Sequence, residues 1–285
     1  MPSLDISAIR RSRYSDVIAF LLYAILAGTL IWYSEKVRID YERARISHLV
    51  GERAIAIQSG IEQALSSTYA LATMIQLSKG NTKEFESAAT ALLTFYPNIS
   101  ALQLAPGGVI QRIVPLAGNE KAMGHNLLTD PQRDKEAFRA RDTRKLTLAG
   151  PFQLVQGGLG AAGRLPVFLS DEKGDSHFWG FVVVLLRFPD ALAPARLSEL
   201  VEKGYHYEIW RMHPDTGKKQ IITSSSKLPL NDPVEHTLTV PNATWHLSIA
   251  PAKSWIDFTA LAIKAALALF LAMLMAIFWR KSGKT

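Results

Sequence analysis

Two uninterrupted apolar runs bracket the chain, Val17 to Tyr33 and Phe258 to Trp279, and the stretch between them, Ser34 to Asp257, has the mixed pattern of a globular domain. A membrane-crossing helix needs about 20 apolar residues at ~1.5 Å rise each to cover a ~30 Å hydrocarbon core. Both runs meet that length, the first only just. The pattern predicts transmembrane helices at 17–33 and 256–279 around a central domain. Arg10, Arg11 and Arg13 precede the first run, and Arg280, Lys281 and Lys284 follow the second. Basic residues beside spans stay cytoplasmic, so the N-terminus (1–16) and the tail (280–285) are expected inside and the middle outside. A charged helical pattern continues directly after Tyr33 with no small-x-small cleavage signal, which favours an anchor over a cleaved signal peptide. Trp32, Tyr33, Trp255 and Trp279 suit interfacial aromatic belts. Lys264 is the odd residue of the second run. A charge at a span's centre costs about 2.5–3.5 kcal/mol. Lying some two turns from the outer edge, it either snorkels to the headgroups or pairs with another charge, as in a dimer interface.

Between the runs, periodicity divides the chain further. Val50, Ala54, Ile57, Ile61, Ala64, Thr68, Leu71 and Ile75 step alternately by four and three, a heptad seam on one long helix from Glu35 to about Leu77. That face packs on its own domain, on a second copy in a parallel dimer, or on both. The expectation is a stalk over 34–78 that dimerises. Lys79-Gly80-Asn81-Thr82 ends it, and a second helix with Phe85, Ala88, Ala89, Leu92, Leu93 and Tyr96 on its inner face stops at Pro97. A hairpin is predicted at Ile99–Leu104 and Val109–Val114, then a polar helix from Asp130-Pro131 to about Arg144 with its charges in solvent. Strands follow at Lys145–Leu148, Phe152–Gln156 and Arg164–Leu169, with Gln156–Gly163 as a Gly-rich hairpin or flap. Phe178 to Arg187 reads as a central strand buried on both sides. After a helix at Pro189–Glu202 only short strands remain: Tyr205–Met212, Gln220–Ser224, Glu235–Val240 and Trp245–Ala250. The fold class is therefore α+β: a stalk helix and two mixed lobes, 79–203 and 204–255, the second next to the membrane.

Composition narrows the chemistry. The net charge is +7, and much of the excess is the six terminal basic residues, which orientation and anionic headgroups account for. No basic stripe interleaved with aromatics points to nucleic acid. Cysteine is absent, which excludes disulfides and thiolate sites. No G-x-S-x-G, H-E-x-x-H, Walker or G-x-G-x-x-G pattern occurs, and the seven His are scattered. No catalytic group, cofactor or metal site is expected, and the protein is not read as an enzyme.

Ala140 to Leu169, "ARDTRKLTLAGPFQLVQGGLGAAGRLPVFL", resembles the core of a CHASE domain, the extracellular sensor of plant cytokinin receptors and many bacterial receptors. The Ala140-Arg141-Asp142 helix end, Gly150-Pro151-Phe152-x-Leu154 and Pro166-Val167-Phe168 carry the likeness, and Phe95 to Pro115 is similar to the family's upstream hairpin. The resemblance implies a stalk helix and two PAS-like lobes, with a small ligand in the membrane-distal lobe. It also implies dimerisation through the stalk and signalling to a cytoplasmic kinase, diguanylate cyclase or phosphodiesterase. Only Arg280 to Thr285 follow the second run in this sequence, so a truncated or separately encoded sensor, or one acting through a partner protein, is expected.

Carried onto this sequence, the family's pocket falls on Ile110, Arg112, Phe152, Leu154, Gln156, Arg164 and Phe168. Alternation puts Phe152, Leu154 and Gln156 on one strand face, and Arg164, Pro166 and Phe168 on another. Arg164 stands where plant receptors have a small uncharged residue. A guanidinium prefers a planar anion held bidentately, so the expected ligand is a small anion such as a carboxylate with an apolar body. The alternative is that Arg164 pairs with Asp171 or Glu172. The leading reading is a non-catalytic ligand sensor in a bacterial inner membrane, central domain periplasmic. The other is a membrane scaffold or regulatory subunit acting on a separate kinase, cyclic-di-GMP enzyme or transporter.

Overall fold

The computed structural model describes residues 6–131 and 134–282, with side chains over 17–131 and 134–279. The flanking basic side chains Arg10, Arg11, Arg13, Arg280, Lys281 and Lys284, and Arg133 before the polar helix, lie outside the described residues. The chain forms two compact units, 1–46 with 253–285, and 47–252.

In the first unit, α1 (Ile6–Leu77) contributes its N-terminal part and α5 (Phe258–Ser282) contributes all of its length. Both contain segments long and apolar enough to cross a membrane. Leu22, Ile25, Leu30, Leu267, Phe270 and Phe278 all stand exposed, an apolar surface of the kind that lipid covers. Lys264 is paired within the chain: its Nζ donates to Glu35 Oε1 at 2.6 Å. Arg38 Nε donates to Glu35 Oε2 at 3.0 Å, and Arg38 Nη2 donates to the Trp255 carbonyl at 2.7 Å. The charge thus meets a carboxylate one helix away in the same chain.

The second unit holds the rest of α1 and two antiparallel sheets. The first has β1 (Ala101–Pro106), β2 (Arg112–Val114), β3 (Thr147–Gln153), β4 (Leu159–Ser170) and β5 (Ser176–Arg187) in the order β2-β1-β5-β4-β3. The second has β6 (Tyr205–Met212), β7 (Lys219–Ser224), β8 (Val234–Val240) and β9 (Ala243–Pro251) in the order β7-β6-β9-β8. It repeats the path of the first with one strand fewer, giving the two PAS-like lobes. α2 (Phe85–Phe95) and α3 (Asp134–Thr143) belong to the first lobe, and α4 (Ser198–Glu202) leads into the second.

Every residue of the heptad seam, Val50 through Ile75, is buried inside this unit. The seam therefore packs on the chain's own core and is not free to form a dimer. Gly163 on β4 shows how close the approach is: a Cβ there would run into Leu65 of α1 and Val184 of β5. β5 is central, and its residues from Phe181 to Leu186 are buried on both faces, as its β-branched run predicts.

Three sequence expectations change or narrow. Lys145–Leu148 and Phe152–Gln156 form one strand, β3, with a bulge between Ala149 and Phe152. Pro151 is tolerated because β3 is the sheet's edge and needs no donor on its outer side. Of the hairpin or flap expected at Gln156–Gly163, the hairpin forms: β3 and β4 pair antiparallel around a turn at 155–158, and Leu159–Gly163 already belongs to β4. Pro189–Glu202 is not one helix but a 3-10 segment at Asp190–Ala195 followed by α4.

Neutral amides tie the lobes together. Asn242, at φ 58° in the β8–β9 turn, accepts from Leu148 N at 2.7 Å and donates to Leu148 O at 3.3 Å, capping the open edge of β3. Gln220 Nε2 donates to the Pro151 carbonyl at 3.0 Å. Lys135 of α3 bonds Asp215 of the β6–β7 turn. Replacing Asn242 by Ala leaves the buried Leu148 amide without its acceptor. Urea denaturation of the variant should show a loss of about 1–3 kcal/mol. The Lys135 ammonium holds the Asp215 carboxyl below its ordinary 3.8, so this contact is fully present above that value and is lost as pH falls through the lower folded one. Carbon-detected NMR titration should find Asp215 returning towards its ordinary range in Lys135→Gln.

Candidate functional site

The front face of the first sheet forms the floor of a small cavity. β1 brings Gln103, β5 brings Val183 and Leu185, β4 brings Ala162 and Arg164, and β3 brings Phe152. Strand alternation places these side chains together: Arg164 lies opposite Val183 and Thr147 in the ladder, and Gln103 lies opposite Val183. Ile110, Ala122, His125 and Leu127 from the segment after β1, with Leu154, Val155 and Gln156 from the β3–β4 turn, close the roof. The cavity holds about 30 Å³. Arg164 is 1% exposed and Gln103 3% exposed, so a permanent cation and a two-sided amide line the cavity floor.

Asn119 organises the roof. Its Nδ2 donates to the Pro115 carbonyl at 2.9 Å, and its Oδ1 accepts from Gln156 Nε2 and from Arg187 Nη2, both at 3.1 Å. Arg187 Nη2 also donates to the Gly118 carbonyl at 3.2 Å. His125 Nε2 lies 3.4 Å from Asp130 Oδ2, and Ile110 N donates to the His125 carbonyl at 3.0 Å. Glu120, in the same loop, has its carboxyl held below the ordinary 4.5 by its own backbone N–H and that of Gly118. The β3–β4 turn is closed by Leu154 N to Gly158 O at 2.8 Å and passes through Gly157 and Gly158 at φ 94° and 82°, which a residue with a side chain rarely adopts.

The structure brings together Ile110, Phe152, Leu154, Gln156 and Arg164 of the sequence-derived set and places Arg112 and Phe168 elsewhere. Arg112 Nη1 donates to Glu86 Oε1 of α2 at 2.8 Å, in a separate depression. The family resemblance that implied Arg112 does not hold here, because β2 begins only at Arg112. Ile110 pairs instead with the His125 loop, so Ile110 and Ile113 share the core face. Phe168 follows a bulge after Val167, packs edge-on to Phe178 with centroids 5.6 Å apart, and lies under the Arg144 guanidinium at 4.2 Å. Asp171 is not the counter-charge of Arg164. It accepts from Lys173 N and Asp175 N, both at 2.9 Å, in the β4–β5 turn, and the strand's rise puts it roughly 20 Å from Arg164. Gln103, Asn119 and His125 are the site residues that sequence reasoning missed. Gln103 left a signal, a lone amide in the apolar strand ALQLAP. Asn119 and His125 left none: both stand in an irregular loop with no period to read, and Gln156 and Arg187, which bond Asn119, are distant in sequence.

A family model described as the CHASE domain matches residues 58–219, more than half of the chain. No curated protein matches it by sequence. Among solved structures, an extracellular ligand binding receptor from Desulfohalobium retbaense DSM5692 is similar with TM-score 0.55 at 14% identity. The likeness covers 70% of this chain but 39% of that one, so this chain spans well under half of that receptor's length, and the similarity is one of fold. The extracellular domain of a protein assigned as histidine kinase rpHK1S-Z16 follows with TM-score 0.48, 13% identity and coverage of 75% and 94%. The periplasmic domain of Vibrio cholerae LuxQ has TM-score 0.40, 10% identity and coverage of 71% and 98%. At these scores the last two add nothing to the fold assignment.

Asn119→Ala removes the acceptor shared by Gln156 and Arg187. A loss of about 1–3 kcal/mol is expected, with faster amide hydrogen exchange confined to the roof segments around Gly118 and Gly157.

Proposed function

We propose, on the premise that this chain belongs to the CHASE-domain family, that it is a two-pass membrane sensor with no chemistry of its own, and that a small anion binds in the first-lobe cavity. One observation carries this reading: a buried Arg164 beside Gln103 on the floor of a cavity whose roof is loop and turn. A guanidinium and an amide together suit a carboxylate, with Phe152 and Leu154 against its apolar body.

At about 30 Å³ the cavity has room for roughly one water, whereas small-molecule pockets run to ~300–1,000 Å³. Binding on this reading opens the roof, exchanging Asn119–Gln156 contacts for contacts to the ligand. The ligand shifts the balance between closed and open states only by its difference in affinity for them. The central domain is extracytoplasmic and both termini are cytoplasmic, as the flanking basic residues argue. Output passes to a cytoplasmic partner. A dimer built on α1 would use its solvent-facing stripe, Glu52, Ile55, Ser59, Glu62, Ser66 and Tyr69, because the heptad seam is taken up by the core.

Thermal unfolding of the full chain in detergent, screened against small mono- and dicarboxylates, tests the site. A true ligand at about 100 times its dissociation constant should add roughly 2.7 kcal/mol, and Gln156→Ala should weaken that effect while the fold persists. An effect untouched by both Gln156→Ala and Arg164→Gln would place the ligand elsewhere. Because the chain has no cysteine, Lys173→Cys on the exposed β4–β5 turn reports topology alone. A membrane-impermeant maleimide should label it in intact cells, and labelling only after permeabilisation would overturn the orientation.

A further inference from the structure

Between the two lobes of the second unit lies a groove of about 400 Å³, distinct from the first-lobe cavity and an order of magnitude larger. α3 supplies Lys135, Glu136 and Arg139, and the second sheet supplies Arg211, Asp215 and His246. Sequence reading treated the α3 charges as a solvated face. In the structure they stand over a second set of charges.

Arg211 sits deepest, 6% exposed. Its Nε donates to Gln220 Oε1 at 2.9 Å, and Gln220 in turn donates to the Pro151 carbonyl of β3. The plane of the guanidinium is therefore set by the first lobe's edge strand. Among the described residues its two terminal nitrogens have no hydrogen-bond partner. Burial works against its charge, offset in part by Glu136 and Asp215 nearby. Asp215 is already bonded to Lys135. Arg139 is exposed on the same wall. The groove carries three cations against two carboxylates, and the innermost cation has open donors. His246 is held flat against Trp210, ring centroids 4.1 Å apart at 13°, which gives the opposite wall a rigid face.

We propose that this groove is a second ligand site, for a small soluble oxyanion, carboxylate or phosphate, taken bidentately by Arg211 and flanked by Arg139 and Lys135. The terminal nitrogens of a guanidinium form a planar fork that matches two oxygens of such an anion, and charge-assisted bonds of this kind are the strong ones. The volume suits a metabolite-sized guest. An anion here touches α3 of one lobe and β6 of the other, so its occupancy bears on how firmly the lobes are joined. The proposal stands independently of the first-lobe cavity.

The test uses the full chain in a maltoside detergent, which brings no phosphate of its own. Sodium phosphate and sodium succinate are titrated against sodium chloride at matched ionic strength, with thermal unfolding and calorimetry as readouts. At least one oxyanion should raise Tm saturably, by about 2–4 °C at near-saturating concentration. Arg211→Gln should weaken the apparent affinity about tenfold or more, and Arg139→Gln, an exposed position that leaves folding intact, by about threefold. Gln156→Ala in the first-lobe cavity should leave it unchanged. The proposal is overturned if neither oxyanion exceeds chloride, if Arg139→Gln and Arg211→Gln respond as the parent does, or if Gln156→Ala abolishes the effect instead. Should Arg211→Gln not fold, the Arg139→Gln affinity decides.

Discussion

The burial of one face of α1 between Val50 and Ile75 organises the second unit. Fully burying one aliphatic side chain of this size stabilises by about 1.5–3 kcal/mol, and the seam holds several in a row. The same helix also reaches the second lobe. Gln58 Oε1 accepts from Thr239 N at 3.2 Å, and Arg53 Nη2 donates to Glu199 Oε2 at 2.8 Å. One stiff element is thus bonded to both lobes. Displacing either lobe along α1 means breaking a close-packed seam, and packed interfaces of this kind switch between discrete arrangements rather than deform smoothly.

Neutral amides make the contacts between parts. Asn242 caps the edge of β3, Gln220 reaches Pro151, Asn119 gathers the roof and Asn98 donates to the Gly60 carbonyl of α1 at 2.8 Å. An amide offers both donors and acceptors and carries no desolvated charge when its contact opens. Such a junction specifies geometry at modest net gain, about 1 kcal/mol per bond. The guanidinium groups of Arg164 and Arg211 are, with the carboxylates of Glu35 and Glu208, buried charges among the described residues.

How much was legible in the sequence follows from the range of each signal. The heptad spacing of α1 and the β-branched run of β5 report local periodicity, and both elements stand where that periodicity puts them. Phe152 and Arg164 reach one cavity because alternation holds along β3 and β4, whereas Ile110 lies ahead of β2 and Leu154 and Gln156 lie in the β3–β4 turn that closes over it. Phe168 does not reach it, since a bulge after Val167 breaks the period of two, and Arg112, carried over from the family resemblance, turns to Glu86 of α2 instead. The glycines of β4 read as a hairpin or flap, and Gly163 is there because Leu65 of a helix distant in sequence leaves no room for a side chain. Asn119, Asn242 and Arg211 carried no local mark at all. Their roles come from partners that only the folded chain brings near.

On the two-pass membrane reading proposed above, the ion pair between Lys264 and Glu35 has a consequence for biogenesis. The two residues lie 229 positions apart, so the carboxylate emerges from the ribosome long before the ammonium it will meet. Glu35 waits just past the apolar run of α1, with Arg38 as its neighbour, until the second hydrophobic segment is made. Inserted beside it, that segment delivers its lysine as half of a neutral couple and avoids much of the cost of a lone charge in hydrocarbon. The second anchor is thereby matched to the first, and a generic polyleucine segment spliced in its place would restore hydrophobicity without restoring the pairing that aligns them.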